Sequence, residues 1–274
     1  MDRSPILVIG ATGKTGRRIV SRLTGFGLPV REASRGSVPP FDWTDPSSWP
    51  EVLRGAGAVY VSFFPDLAAP GAPAAIETLT ECAADAGVER LVLLSGRGEH
   101  NARRCETIVS ESRVDHTLLR ASWFAQNFSE GHLLHPVLEG VIALPAGDVK
   151  EPFVDADDVA DVAVAALTED HHLGRCYELT GPRLVTFAEA AAEISLAAGR
   201  DVEYVGISAE RFRAALTQDA GPEFADLFTG LCEEVFDGRN ASLGSGVRQA
   251  LGREPRDFTD FCRATAASGT WTAR

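Results

Sequence analysis

The chain has 274 residues, of which 45% are hydrophobic, and carries a formal net charge of −13 at pH 7. This length and apolar content can form a sizeable core and fit one α/β domain with a smaller appended lobe. The acidic balance, without a basic stripe, argues against a nucleic-acid partner. Every apolar run falls short of the about 20 residues that span a membrane, so we expect no membrane partner and no signal peptide.

The first predicted element is a strand over 6–9, which runs into a glycine-rich turn and then a helix. Three glycines spaced by two residues allow a sharp turn, let the backbone approach a ligand, and bring the helix close to the strand. The exposed N–H groups at the helix start then face an anion, so the turn predicts a dinucleotide pyrophosphate site. The predicted cofactor-binding residues here are Gly10, Thr12, Gly13, Lys14, Thr15 and Gly16.

A P-loop is excluded, because Val8 stands where that motif needs its first glycine. The second predicted strand, over 28–35, ends in Ser34 and Arg35 rather than in the acidic residue typical of NAD sites. Arg35, together with Lys14, suits a 2′-phosphate. We therefore predict NADPH as the cofactor, while Glu32 leaves NADH possible.

Further along the chain, strand and helix patterns alternate. Near-continuous apolar strands separated by helices predict a Rossmann-type, doubly wound parallel sheet. We expect a NAD(P)-binding domain over 1–150 and a smaller, interleaved C-terminal α/β lobe over 151–274, with a loose tail from Ala264. The predicted strands are 58–63, 90–95 and 115–120, and the predicted helices lie within 70–86 and at 101–112, 155–167, 186–198, 208–218 and 222–237.

Two groups of residues were weighed as metal ligands. Asp155, Asp157 and Asp158 lie at a helix start, where aspartates are typically caps and partners of the helix dipole. The five cysteines are scattered, without metal-type or disulfide-type spacing. We predict no metal, and reduced thiols in a cytoplasmic protein.

Several motifs together resemble the NmrA-like atypical short-chain dehydrogenases over nearly the whole chain. They are Gly10–Gly16, Phe41–Trp43, Leu119–Phe128, Phe153–Ala160, Glu178–Pro182 and Leu251–Arg256. Within that family the chain is similar to bacterial relatives of ergot-alkaloid iminium reductases and, more distantly, to NAD(P)H:quinone reductases. The resemblance implies that Asp42 lies near the adenine, Ser62 and Phe63 beside the ribose and pyrophosphate, and Trp123 and Phe124 near the nicotinamide. Ala121 stands where such proteins often have proline.

The proton donor usual in carbonyl-reducing short-chain dehydrogenases, a Tyr-x-x-x-Lys pair, is missing. The residues four places after Tyr60, Tyr177 and Tyr204 are not lysines. Ketone reduction needs such a donor, because the alkoxide must be protonated as it forms. An iminium carbon needs only hydride, and a quinone or conjugated enone spreads the incoming charge.

Candidate substrate contacts come from the predicted carboxyl edge of the sheet and from the segment after it. Flat apolar walls for an acceptor ring would be Phe63, Phe64, Trp123, Phe124 and Phe128. Arg97, Glu106 and Asn127 are polar candidates for orienting the substrate, and Ser95 lies at the expected cofactor edge. His100 is a candidate substitute proton donor, since histidine titrates near neutral pH.

The sequence therefore predicts an NAD(P)H-dependent reductase of an iminium, quinone or conjugated small molecule. Two alternatives stay open. Some NmrA-like proteins resemble redox sensors that bind the dinucleotide without turnover, and a non-redox biosynthetic enzyme also fits the missing Tyr-Lys pair. The oligomeric state is not predicted.

Overall fold

The computed structural model describes residues 4–272, and its architecture confirms the predicted α/β fold class. Six parallel strands form one sheet in the order β2-β1-β3-β4-β5-β8. Two pairs, β10-β6 and β7-β9, form separate two-stranded sheets. The strands in the described residues are β1 (Ile6–Ile9), β2 (Val30–Ala33), β3 (Ala58–Val61), β4 (Arg90–Gly96), β5 (Asp115–Ala121), β6 (Val141–Leu144), β7 (Lys150–Glu151), β8 (Arg175–Leu179), β9 (Val185–Thr186) and β10 (Glu203–Gly206).

Helices follow most of these strands, and two short 3-10 turns lie at Pro46–Ser48 and Asp170–His172. The α-helices of the same residues are α1 (Lys14–Gly25), α2 (Trp49–Leu53), α3 (Ala72–Asp85), α4 (His100–Glu111), α5 (Asn127–Glu130), α6 (Leu134–Glu139), α7 (Ala156–Thr168), α8 (Phe187–Ala198), α9 (Ala209–Ala220), α10 (Pro222–Val235), α11 (Gly246–Leu251) and α12 (Phe258–Ala267).

The chain divides into two compact units, each built from discontinuous segments. The first runs through Ala121 and also contains Ala156–Leu179 and Ser245–Arg253. The second contains Ser122–Asp155, Thr180–Gly244 and the chain from Glu254 onward. The predicted boundary at residue 150 does not coincide with this division, because α7, β8 and α11 belong to the first unit.

Helices cover both faces of the six-stranded sheet. Successive strand residues point to opposite faces, so apolar residues are needed at consecutive positions of each strand. One face packs Leu7, Val59 and Leu93 into a core with residues of α3 and α4. Strand residues that alternate with these, such as Val8 and Val92, are also fully buried. α1 contacts β1 and β2, and α7 contacts β3, β4 and β5.

Helices α1 and α7 are joined by ion pairs. Arg22 Nη2 and Nε lie 2.6 Å from carboxylate oxygens of Asp157 and Asp161, and Arg18 Nε lies 3.2 Å from Asp157. The hydrogen bond from Arg22 and the charge of Arg18 offset the effect of burial and hold the pKa of Asp157 below its ordinary value. Asp158 pairs with Arg253 at 2.7 Å. These aspartates therefore link elements of the first unit.

Two sequence expectations are corrected by the fold. No strand was predicted over Arg175–Leu179, where polar residues interrupt the apolar pattern, yet β8 completes the sheet as an edge strand. The tail from Ala264 was predicted to be loose, but α12 continues to Ala267. Trp271 is only 2% exposed, and its Nε1 donates to the Phe128 carbonyl at 2.9 Å. One buried indole far along the chain anchors this segment, which local sequence does not reveal.

No helix within residues 4–272 combines the length and apolar character that a membrane crossing requires.

Candidate active site

The turn between β1 and α1 is shaped by its glycines. Gly10 has a φ of 79°, which is strained for any side-chain-bearing residue, and the Gly13 N–H donates to the Gly10 carbonyl at 2.9 Å. A Cβ on Gly16 would overlap that same carbonyl. The first turn of α1 contains no acidic residue, and Gly13 at its N-cap offers no side-chain hydrogen bond. The turn is therefore a backbone cradle that fits a phosphate group.

The side chains of the predicted cofactor residues in this turn lie in different environments. The Thr15 hydroxyl is buried and accepts a hydrogen bond from the Tyr60 hydroxyl at 2.8 Å, so it ties α1 to β3. Burial, with smaller effects of Arg17 and Arg18, lowers the pKa of Lys14. Thr12 is exposed in the turn itself.

The strand order places a second contact beside the cradle. β1 lies between β2 and β3 in the sheet, so the connection from β1 to β2 and the connection from β2 to β3 run in opposite directions across it. Open α/β sheets bind ligands at such a switch point. A Cβ on Gly10 would lie 3.1 Å from the Ser62 Cβ, which brings the first glycine against the end of β3. The structure thus brings together the predicted residues Gly10 and Ser62.

Residues after β2 and β3 also meet. The Arg35 guanidinium is 5.7 Å from the centroid of the Phe64 ring, which is 66% exposed. Asp42 accepts hydrogen bonds from the Thr44 N–H at 2.9 Å and from its hydroxyl at 2.8 Å, and these lower the pKa of Asp42. The Phe63 ring packs 4.7 Å from that of Trp43. Arg35 is exposed, so its charge is accessible at the end of β2.

Beneath the carboxyl ends of β4, β5 and β8 lies a row of buried charges. Arg120 donates to Glu106 Oε1 at 2.9 Å and Oε2 at 2.5 Å, and to Glu178 at 2.9 Å. The Ser95 hydroxyl donates to Glu106 at 2.6 Å, and Arg97 lies 3.4 Å from Glu178. The side chains of the predicted residues Ser95, Arg97 and Glu106 are thus part of this network. No local pattern in the sequence indicates Arg120 as its centre.

A carboxyl pair that sequence reasoning missed joins the segment after β3 to the segment after β4. Burial raises the pKa of Asp66, and its carboxyl is hydrogen bonded to Glu99. Two carboxylates side by side repel each other, so such contact disfavours ionisation of both at once. The predicted proton donor, His100, begins α4 directly after Glu99 and is exposed. The first unit therefore places two carboxyl groups together near the carboxyl ends of β3 and β4.

In the second unit, Trp123 belongs to an aromatic cluster with His132, Phe187, Phe228 and Phe236. Its ring centroid lies 4.9 Å from that of Phe236 and 5.8 Å from that of His132. The Trp123 Nε1 is buried and has no hydrogen-bond partner in the described residues. A buried donor without a partner is uncommon in native proteins.

The other predicted residues of this unit differ in accessibility. Phe124 is partly exposed and bridges to Val154, and Asn127 begins α5 with 8% exposure. Phe128 has no exposed surface and packs on Phe153, Phe187 and Phe258. The prediction that Phe128 forms a substrate wall is corrected, because its ring lies in the core of the second unit.

All three tyrosine hydroxyls of the chain are engaged away from lysine. The Tyr60 hydroxyl is buried against Thr15, that of Tyr177 lies 2.8 Å from His172 Nδ1, and that of Tyr204 donates to the Leu144 carbonyl at 3.2 Å. Burial raises the pKa of each of these phenols. None is poised to lose a proton near neutral pH.

Comparison with known proteins decides the family. Residues 10–170 match the NAD(P)H-binding family model. The chain belongs to the NAD(P)H-binding family. It is 34% identical to YesF, an uncharacterized oxidoreductase of Bacillus subtilis, over 99% of both chains. Festuclavine dehydrogenase of Aspergillus fumigatus is 30% identical, over 96% of this chain and 98% of its own.

A solved structure confirms the fold. The NADPH-dependent quinone oxidoreductase of Escherichia coli, crystallised with NADPH, superposes with a TM-score of 0.80 over 94% of this chain and 99% of its own, at 21% identity. The family assignment and the backbone cradle together identify NAD(P)H as the cofactor and an NAD(P)H-dependent oxidoreductase as the enzyme class.

Proposed function

We propose that this protein is an NADPH-dependent reductase that delivers hydride to an iminium ion, a quinone or a conjugated small molecule without a tyrosine–lysine acid pair. The observation that carries the proposal is the engagement of every tyrosine hydroxyl with a group other than lysine. The relative named festuclavine dehydrogenase supports an acceptor of this kind.

The preference for NADPH rests on charge at the end of β2. Arg35 is exposed there, and no acidic residue stands in its place to bond the ribose hydroxyls. A guanidinium offers a permanent charge and a fork of donors to a 2′-phosphate. The backbone of the glycine turn holds the pyrophosphate, and Asp42, Ser62, Phe63, Ser95 and Trp123 stay predicted cofactor contacts.

When bound, NADPH supplies a hydride, which is two electrons and one proton. Transfer to an iminium carbon breaks the C=N π bond, gives a neutral amine and requires no further proton. A quinone or enone takes the hydride and spreads the charge over its conjugated oxygen, which is protonated afterwards. A ketone would form a localised alkoxide, for which the chain has no tyrosine donor in position.

Orientation of the acceptor is then the main task of the protein. Trp123 offers an indole N–H without a protein partner and lies among aromatic rings that suit a planar ligand. Phe64 and Phe124 stay predicted ring contacts, and Arg97 and Asn127 stay predicted polar contacts. For a quinone, the proton follows from water, His100 or the Glu99–Asp66 pair.

The test uses matched acceptors with the same ring skeleton, such as 3,4-dihydroisoquinolinium and 1-tetralone, with NADPH consumption measured at saturating cofactor. NADPH binding is measured separately by fluorescence titration. We expect turnover of the iminium ion and none of the ketone, with a rate unchanged in His100→Ala. Ketone reduction would contradict the proposal. Tight NADPH binding without turnover of any iminium, quinone or enone would favour the sensor alternative.

A further inference from the structure

A separate group of side chains that can bind a metal lies at the end of the six-stranded sheet opposite to the glycine turn. Strand β8 begins at Arg175, which pairs with Thr117 near the start of β5. The 3-10 turn Asp170–His172 immediately precedes this strand. Because all six strands are parallel, their amino ends all lie at one end of the sheet, and the cofactor cradle lies at the other end. Any ligand held here is remote from hydride transfer.

Three side chains converge at this turn. His171 Nδ1 lies 3.5 Å from Glu169 Oε2, and His172 Nε2 lies 3.9 Å from the same oxygen. One ligand atom from each residue falls within 4.8 Å of the other two. Ligand atoms around a tetrahedral zinc are about 3.4 Å apart, given metal–ligand distances near 2.1 Å. Small rotations of the two exposed side chains would bring the set to that spacing.

His172 is fixed in place and has one ring nitrogen to spare. The side chain is fully buried, its Nδ1 lies 2.8 Å from the Tyr177 hydroxyl, and its backbone carbonyl accepts from the Thr117 hydroxyl at 2.8 Å. Its Nε2 is buried without a hydrogen-bond partner and is directed toward Glu169. Leaving a buried polar atom unpaired is costly, so this nitrogen needs a ligand.

The donor set selects the kind of ligand. Two imidazoles and one carboxylate suit zinc and its transition-metal neighbours, whereas magnesium and calcium prefer oxygen donors. The Tyr177 hydroxyl bonded to the other nitrogen of His172 is the outer contact that orients a metal-binding imidazole. Asp170 is engaged elsewhere, since its carboxylate accepts from Arg90 at 2.5 Å.

We propose that Glu169, His171 and His172 form a zinc site, with water as the fourth ligand. The ion would tie the end of the segment after α7 to the start of β8. It would stabilise this edge of the first unit and leave NADPH oxidation unchanged.

The test measures zinc binding directly. Chelator-treated full-length protein is titrated with Zn²⁺ against a chromophoric indicator, in the absence of NADPH. We expect one zinc per chain and a rise in Tm on binding. His171→Ala and Glu169→Gln, both at exposed positions, should weaken binding by more than the about 10- to 100-fold typical of losing an outer contact. Tyr177→Phe should fall within that range.

Two control variants separate this site from adventitious binding. His135→Ala removes an exposed histidine that lies 3.2 Å from Glu139, and Cys176→Ser removes the exposed thiol on β8. Neither should change zinc affinity. The proposal is overturned if the wild-type chain binds no zinc, if His171→Ala binds it as tightly as wild type, or if binding is lost only in a control variant.

Discussion

The cofactor cradle of the first unit is formed by backbone groups, whereas the aromatic cluster of the second unit is formed by side chains. The cradle is a contiguous stretch, Gly10–Gly16, which presents backbone and has no room for side chains at Gly16. The cluster is made of large side chains drawn from residues 123–236. A site formed by backbone groups requires glycine at fixed positions, whereas a site formed by side chains can change by single substitutions. Under the proposed function, we expect relatives to vary less at the cofactor site than at the acceptor site.

The largest expected effect concerns the buried charges near the carboxyl ends of β4 and β5, in the same unit as the cradle. Arg120→Met would leave Glu106, which is 4% exposed, without its main partner. Removing one partner of a buried ion pair typically costs about 3–5 kcal/mol of unfolding free energy. Arg113→Met, where both partners are about three-quarters exposed, should cost less than about 1 kcal/mol. Urea denaturation of both variants measures this, and equal losses would contradict the larger contribution of the buried pair.

The cradle itself is tested by adding one methyl group. In Gly16→Ala the new Cβ would overlap the Gly10 carbonyl and push α1 from β1. We expect NADPH affinity to fall about 10- to 100-fold, because a hydrogen bond to a charged group is worth about 1.5–3 kcal/mol. Gly25→Ala, at the other end of α1, meets no atom within 4 Å and should bind NADPH normally. Fluorescence titration measures both, and unchanged affinity in Gly16→Ala would refute a backbone cradle.

The third test asks whether Arg35 selects the cofactor. Arg35→Asp replaces a 2′-phosphate ligand with a repelling charge, so NADPH affinity should fall about 10- to 100-fold while NADH affinity holds. Arg54→Asp makes the same charge change at another exposed position of the first unit. It should affect both cofactors equally and slightly. Equal losses of affinity for NADPH and NADH in Arg35→Asp would contradict the role of Arg35 in selecting NADPH.

The smallest expected effect concerns an ion pair of the second unit. Hydrogen bonding from Arg183, above all, lowers the pKa of Asp257 to about 2. A depressed pKa stabilises the fold above the ordinary value of 3.8, and that contribution is lost as the pH falls toward 2. After allowance for solvent screening, Asp257→Asn should cost about 1 kcal/mol at pH 7 and less at pH 3.

Asp260→Asn is the matched control, since Asp260 is 67% exposed and pairs with Arg263 only three residues away. Its cost should stay within about 0.5 kcal/mol at both pH values. Urea denaturation at pH 7 and pH 3 gives the four values needed. A pH-independent loss in Asp257→Asn would contradict the role of its charge.

The sequence predicts the cradle well because its chemistry is local. Only glycine meets the positive φ at residue 10 and the close contact at residue 16, so spacing alone reveals the site. Phe128, by contrast, has the same residue type as a pocket wall but lies in the core, which only packing decides. The Asp66–Glu99 pair joins residues from two loops, and His172 Nδ1 lies 2.8 Å from the Tyr177 hydroxyl. No local pattern reports such contacts.

The most direct test of the account is deuteride transfer in a single turnover. Protein loaded with NADPH that carries deuterium at both C4 positions of the nicotinamide is mixed with an iminium ion or with a ketone of matched ring size, and the products are analysed by mass spectrometry. We predict one deuterium at the former iminium carbon, an equal amount of NADP⁺, and unreduced ketone. Deuterated alcohol formed at a comparable rate, or amine without deuterium, would contradict hydride-only reduction.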